Sequence, residues 1–305
     1  MTFEKTRGLI AAPFTPMKPD GEVDLDRIGA LAEFLARNGV LGVFVCGTTG
    51  EGLSLTVQER MDVVRRWVDV AGEILRVIVH VGHTALRDAQ AMASHAAEVG
   101  AWGVGTIPSI FYRPAGIDDL VDFAARIAPA ARDLPFYYYH IPALTGVNFP
   151  MVEFLQAGAE RIPNLAGVKY TCEDLMGYLL CRELDGGRFD CLFGRDEMLL
   201  SALAMGAEGA IGSTYGLAAP LYLRLIDAFR AGDLATAREL QVKSAAMIEA
   251  IRRQGFGVVG FKQVMQMIGM DMGPVRPPLR PMPAEHCDAL RAELQQIGFF
   301  EFCNR

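Results

Sequence analysis

The sequence predicts an α/β fold, a closed (β/α)8 TIM barrel with additional C-terminal helices. Three observations carry that prediction. Eight short apolar runs alternate with amphipathic segments over roughly the first 230 residues, a length that suits eight β-α units. The runs are continuously apolar rather than alternating, as parallel strands covered on both faces require. The remainder, from Asp233 to Arg305, holds helical patterns and a proline-rich turn but no further strand-like run. A doubly wound open sheet is the structural alternative, and eight regular units with no change of character favour closure.

The strand candidates begin at Gly8 (GLIAA), Leu41 (LGVFVC), Arg76 (RVIVHV), Ala101 (AWGVGTI), Pro135 (PFYYYH), Leu165 (LAGVK), Asp190 (DCLFG) and Glu208 (EGAIG). Between them, Ile28, Leu31, Ala32 and Leu35 follow the i, i+3, i+4, i+7 spacing of a helix face, as do Val64, Trp67, Val68 and Ala71. Thr56 with Glu59 three residues later marks the start of the second helix as a capping box. The stretch Leu134–Val152 is uncharged for 19 residues, but Pro135, Pro142, Gly146, Asn148 and Pro150 divide it into strand, turn and helix start, not a membrane span. Residues 1–232 are thus expected to form the catalytic barrel, and 233–305 to pack on its wall as part of the same domain.

Composition narrows the class. Of the 305 residues, 51% are hydrophobic and 21% charged, which excludes disorder. The net charge of −7 without a basic stretch argues against a nucleic-acid partner. The apolar patch Leu9–Ala12 is short, ends at Pro13 and follows Glu4, Lys5 and Arg7, so no signal peptide is expected. Six cysteines without a C-x-x-C pair read as reduced thiols, and the expectation is a soluble cytoplasmic protein.

In a barrel the working side chains stand where strands end, at the C-terminal face. That rule selects Gly47-Thr48-Thr49-Gly50-Glu51-Gly52, Tyr137-Tyr138-Tyr139-His140, Lys169-Tyr170-Thr171, Gly194-Arg195-Asp196-Glu197 and Gly212-Ser213-Thr214. Lys169 is the sharpest of these. Only five lysines occur (Lys5, Lys18, Lys169, Lys243 and Lys262), and Lys169 alone closes an apolar run. A free lysine, with pKa near ~10.4, is almost never neutral at pH 7. Desolvation lowers that pKa and frees the lone pair of a Schiff-base nucleophile; the bland alternative is a salt-bridged lysine.

The glycine- and threonine-rich loop offers hydroxyl and N–H donors suited to a carboxylate, though it lacks the Gly-Lys-Ser/Thr ending of a phosphate loop. Tyr137 and Tyr139 share one strand face and Tyr138 takes the other, so Tyr139 would lie nearest the mouth if that face points inward. Asp196 and Glu197 could bind sugar hydroxyls or serve as N-terminal helix charges. Gly206, Gly209 and Gly212 precede and line a strand, which discounts a nucleotide motif. His80 and His83 lack nearby ligand partners in sequence, so no metal is expected.

Together these motifs resemble the pyruvate-dependent class I aldolases of the dihydrodipicolinate synthase and N-acetylneuraminate lyase family, from about Gly8 to Pro278. The carriers are Gly47–Glu51, Gly167-Val168-Lys169, Tyr137-Tyr138-Tyr139-His140-Ile141-Pro142-Ala143-Leu144-Thr145-Gly146, Phe193–Glu197 and Gly212–Tyr215, the last three similar to the lyase branch. The resemblance implies that Lys169 forms an imine at the substrate's C2 carbonyl and that Tyr139 moves the proton. It implies that Thr48 and Thr49 hold the carboxylate, while Thr171, Gly194, Asp196, Glu197 and Ser213 contact the hydroxylated tail.

The implied reaction is cleavage of N-acetylneuraminate to N-acetylmannosamine and pyruvate by a cytoplasmic homotetramer using a small 2-keto acid, with no cofactor and no membrane partner. His140 departs from the Asn of many bacterial relatives and is the next candidate for the proton. The Pro108–Pro114 segment is one residue longer than usual for the family, so the resemblance implies that Phe111 or Tyr112 takes the place where the family lends a tyrosine to a neighbouring subunit. Within the family, dihydrodipicolinate synthase activity needs an arginine where Leu144 stands, and Asp196 with Glu197 would repel an anionic tail. A 2-keto-3-deoxy sugar acid aldolase or dehydratase is a further alternative, and a non-catalytic keto-acid sensor is one of a different class.

Overall fold

The computed structural model describes residues 3–255 and 257–305. Its centre is a closed, all-parallel eight-stranded barrel with the strands in sequence order. The strands are β1 Gly8–Ala11, β2 Gly42–Val45, β3 Arg76–His80, β4 Gly103–Thr106, β5 Phe136–His140, β6 Leu165–Tyr170, β7 Asp190–Phe193 and β8 Gly209–Gly212. Closure is direct, because β1 pairs with β8 over all four of its residues, from Gly8 with Gly209 to Ala11 with Gly212.

The ring of helices comprises α1 Arg27–Arg37, α2 Val57–Ala71, α3 Leu86–Glu98, α4 Ile117–Ile127, the one-turn α5 Pro142–Thr145, α6 Met151–Arg161, α7 Leu175–Glu183, α8 Leu199–Ala204 and α9 Tyr215–Arg230. After these come α10 Leu234–Arg253, α11 Val258–Met267, α12 Ala284–Gln296 and α13 Phe299–Phe302. Side-chain caps set where several of them start. Thr56 and Glu59 form the reciprocal capping box on α2, while Asp174 and Asp233 accept from backbone N–H groups of α7 and α10. Among the described residues no helix is long and apolar enough to cross a membrane, and all six cysteines are free thiols.

The strands separate two apolar layers. Leu9, Val43, Val77, Val104, Tyr138, Val168 and Phe193 face outward into the layer shared with the helices. Ile10, Phe44, Ile78, Tyr137, Tyr139, Ala166, Leu192 and Ile211 fill the barrel's interior. Both faces are therefore dry, which explains why the strands read as unbroken apolar runs, and each fully buried large chain stabilises the fold by roughly 1.5–3 kcal/mol. Tyr137 occupies the floor, where its hydroxyl donates to Asp190 Oδ2 at 3.0 Å and its ring stacks on Trp102. Tyr139, two residues on, stands above it at the mouth.

The last helices do more than cover the wall. The chain end is locked by Asn304, whose side chain accepts from Ala219 N–H at 2.7 Å and donates to the Tyr215 carbonyl at 3.1 Å. Ile248 and Arg252 of α10, with Val258 and Phe261 of α11, reach the rim of the barrel and close one side of its mouth.

Candidate active site

The mouth opens into a cavity of about 330 Å³, within the range that holds one small molecule. Its lining includes Thr48, Thr49, Tyr139, Lys169, Thr171, Gly194, Asp196, Glu197 and Ser213. All nine site residues selected from the sequence are thus brought together.

Lys169 owes its direction to an irregularity in β6. In a regular strand Lys169 would share a face with Leu165, which packs outward. The register between β5 and β6 shifts between Phe136 and Tyr137, which pair with Leu165 and Gly167 and leave Ala166 as an extra residue. Ala166 and Lys169 consequently point inward while Leu165 and Val168 point outward, the re-aiming that a β-bulge produces. Gly167 is required there, since a Cβ would stand 1.9 Å from the Asp190 carbonyl oxygen.

The restored register sets Lys169 directly beside Tyr139 on the neighbouring strand. Its amine lies 3.9 Å from the centroid of the Tyr139 ring and 4.3 Å from that of Phe44. Lys169 has no ion-pair partner among the described residues. Burial pulls its pKa below the ordinary lysine value, against the opposing influence of Tyr139 and Asp196.

The remaining groups converge from separate strand ends. Tyr139's hydroxyl is 3.5 Å from Thr48 Oγ1, and Thr49 Oγ1 is 2.6 Å from Ser213 Oγ, which joins the loops after β2 and β8. Asp196 Oδ2 accepts from the backbone N–H of Thr214 at 2.9 Å and from its hydroxyl at 2.6 Å. Its Oδ1 is buried without a partner, and burial raises the carboxyl pKa to about 6. The close approach depends on Gly212, where a Cβ would lie 1.7 Å from Asp196 Oδ1. Gly194 plays the same part for Thr171, whose hydroxyl is also buried without a protein partner. Arg195 is held between Glu173 and Glu197.

Some residues fall elsewhere. His140 points outward, with its ring 5.2 Å from that of Tyr170, and burial lowers its pKa to about 4. It does not line the cavity, against the expectation that it is the next candidate for the proton. Leu144 is exposed on α5 and does not line the cavity. Phe44, Arg252, Val258 and Phe261 were not selected from the sequence. Phe44's inward place was available from its alternation with Val43 and Val45, whereas nothing local marks the three C-terminal residues.

A barrel with a buried, unpaired lysine among hydroxyls and carboxylates at its mouth is built for chemistry on a small molecule. The comparisons with known proteins define the class further. Residues 5–297 match the model of the dihydrodipicolinate synthetase family, and the chain belongs to that family. It is 41% identical to the N-acetylneuraminate lyase of Pongo abelii over 303 residues, covering 98% of this chain and 95% of the relative. The structure of Proteus mirabilis N-acetylneuraminate lyase superposes with a TM-score of 0.94 at 39% identity, over 97% of this chain and 100% of that one. The Aliivibrio salmonicida N-acetylneuraminate lyase (sialic acid aldolase) gives 0.94 at 38%, over 97% and 98%.

Proposed function

We propose that the protein is a Schiff-base (class I) aldolase that cleaves N-acetylneuraminate to N-acetylmannosamine and pyruvate. The observation that carries this reading is the Lys169 amine, buried, without an ion-pair partner among the described residues and set against Tyr139 in a cavity whose polar lining includes hydroxyls, two carboxylates and two arginines. Attack of that amine on the substrate's C2 carbonyl and loss of water give an iminium ion. The Tyr139 hydroxyl accepts the proton of the C4 hydroxyl while passing its own to the substrate carboxylate as the C3–C4 bond breaks, and the bond's electrons pass into the iminium to give an enamine. The sugar aldehyde leaves, the enamine is protonated at C3, and water hydrolyses the imine to release pyruvate and free Lys169.

Thr48 and Thr49 hold the carboxylate in this scheme. The unsatisfied hydroxyl of Thr171 and Oδ1 of Asp196 support recognition of a hydroxyl-rich tail, together with Gly194, Glu197 and Ser213. The two neighbouring carboxylates favour a neutral polyol over an anionic tail. The same reading extends to a cytoplasmic homotetramer. Phe111 and Tyr112, 78% and 81% exposed and packed edge to face at 4.9 Å, support a subunit contact at that loop.

The test is pyruvate release from a panel of 2-keto acids, read through a lactate dehydrogenase couple. N-acetylneuraminate should be cleaved with the highest kcat/KM. Preferential cleavage of a 2-keto-3-deoxy sugar acid, or faster condensation of pyruvate with aspartate semialdehyde than with N-acetylmannosamine, would overturn the substrate assignment.

A further inference from the structure

We propose that Glu51 and Lys262 are a positioning pair that holds the Thr48–Thr49 loop in its carboxylate-receiving shape and ties it to α11. The inference rests on the reading in which that loop receives the substrate carboxylate. Glu51 and Lys262 are separated by 211 residues of chain, yet Lys262 Nζ donates to Glu51 Oε1 at 2.9 Å with both side chains almost wholly buried. Lys262 also donates to the carbonyls of Thr15 at 3.2 Å and Pro274 at 2.7 Å, so its three amine hydrogens are all engaged. The second Glu51 oxygen accepts from the Arg276 backbone N–H at 2.9 Å. A buried charge pair satisfied at this many points has one geometry available to it.

What the pair holds is a strained turn. Cys46 and Glu51, at either end of the loop, both have left-handed backbones with φ of 56° and 54°. Such conformations persist in non-glycine residues only where the surroundings over-determine them. Between these ends, Glu51 N–H donates to the Thr48 carbonyl and Gly52 N–H to that of Gly47, both at 3.1 Å. Thr15 Oγ1 fastens Gly50 from the other side, donating to its carbonyl at 2.6 Å. The turn therefore presents Thr48 and Thr49 to the cavity while its base is fastened through Glu51 to a lysine of α11. The residue before that lysine, Phe261, lines the same cavity. The Thr48–Thr49 loop and the part of the cavity wall that α11 supplies are thus joined through one buried pair.

A contact that positions the carboxylate in ground and transition states alike should alter KM and not kcat. The experiment compares Glu51→Gln, Lys262→Met and the double variant with the unmodified protein. It measures the pyruvate concentration for half-maximal borohydride trapping at Lys169, the kcat and KM for N-acetylneuraminate, and the thermal midpoint. Each single variant should raise the half-trapping concentration and KM by about tenfold or more with kcat within about threefold.

The double variant separates positioning from stability, because it leaves no unpaired buried charge. It should recover part of the thermal midpoint lost in Lys262→Met while its pyruvate requirement stays raised. Recovery of pyruvate affinity in step with the midpoint would overturn the proposal, as would folded variants with unchanged KM and half-trapping concentration. Should Lys262→Met fail to fold, Glu51→Gln and the double variant still decide. No trapping at Lys169 in the unmodified protein would instead overturn the aldolase reading, and this inference with it.

Discussion

Lys169 and Lys262 are equally buried, each 4% exposed, and burial pulls both amines below the ordinary lysine pKa. Their surroundings differ in one respect. Lys262 spends its three hydrogens on a carboxylate and two carbonyls, and Glu51 pushes its pKa back up. Lys169 meets two aromatic faces and has no paired carboxylate among the described residues. An ammonium fixed by three acceptors has no lone pair to offer. An amine desolvated without a paired carboxylate is shifted toward its neutral form, although the two ring faces and Tyr139 oppose that shift. Burial alone does not set a lysine's chemistry; under the proposed function it is burial without a paired carboxylate that suits Lys169 to nucleophilic attack.

The largest expected effect tests that contrast directly. Borohydride reduction with pyruvate should add mass to the peptide carrying Lys169 and leave the Lys262 peptide unlabelled. Lys169→Met should lower kcat for N-acetylneuraminate by at least about four decades, since the proposed covalent route is then lost outright. Labelling at Lys262, or persistent turnover in Lys169→Met, would break the comparison.

Much of this arrangement was legible in the sequence because parallel barrel strands are dry on both faces. Each apolar run therefore marks its strand sharply: the runs proposed from Gly8, Arg76, Leu165 and Asp190 begin where β1, β3, β6 and β7 begin, and the others within two residues. The site followed from one topological rule, that side chains at strand ends meet at the mouth. The direction of Lys169 was not legible, because strict alternation from Leu165 would have turned it outward. Only the paired neighbour strand reveals the extra residue at Ala166. The Glu51–Lys262 pair and the rim residues of α10 and α11 were hidden for another reason. Contacts across two hundred residues leave no periodic trace, and Lys262 looks in sequence like any other helical lysine.

The next effect sharpens the contrast by removing the hydroxyl of the ring set against the Lys169 amine. Tyr139→Phe keeps the ring against Lys169 and removes only the hydroxyl. A positioned acid or base contributes about 10²- to 10⁴-fold, so kcat should fall by at least about two decades. Imine formation with pyruvate should persist, because the desolvating ring remains. Far-UV circular dichroism excludes unfolding. His140 faces away from the cavity, so a folded Tyr139→Phe protein with near-normal kcat would point to a proton carrier from another subunit.

The smallest effect concerns Asp196, the carboxylate whose charge acts on Lys169 from across the cavity. Its pKa in the folded protein is about 6, against an ordinary 3.8, chiefly because of burial. Below about pH 3.8 the group is protonated whether the chain is folded or not, and it costs nothing. As pH rises towards 6 the unfolded chain ionises first, and above that the folded protein carries a buried charge at a cost of roughly 3 kcal/mol. Asp196→Asn retains an oxygen to accept from Thr214 and removes the charge. It should therefore raise stability by roughly 1–3 kcal/mol at pH 7.5, a gain that fades as pH is lowered to about 3.5, as measured by urea unfolding at each pH. The gain should come with a higher KM for N-acetylneuraminate, because under the proposed function this carboxylate accepts from a substrate hydroxyl. The opposite sign would be the more instructive failure. Were Asp196→Asn destabilising at pH 7.5, its carboxylate would be acting on Lys169 as Glu51 acts on Lys262, and the distinction between the two buried amines would collapse.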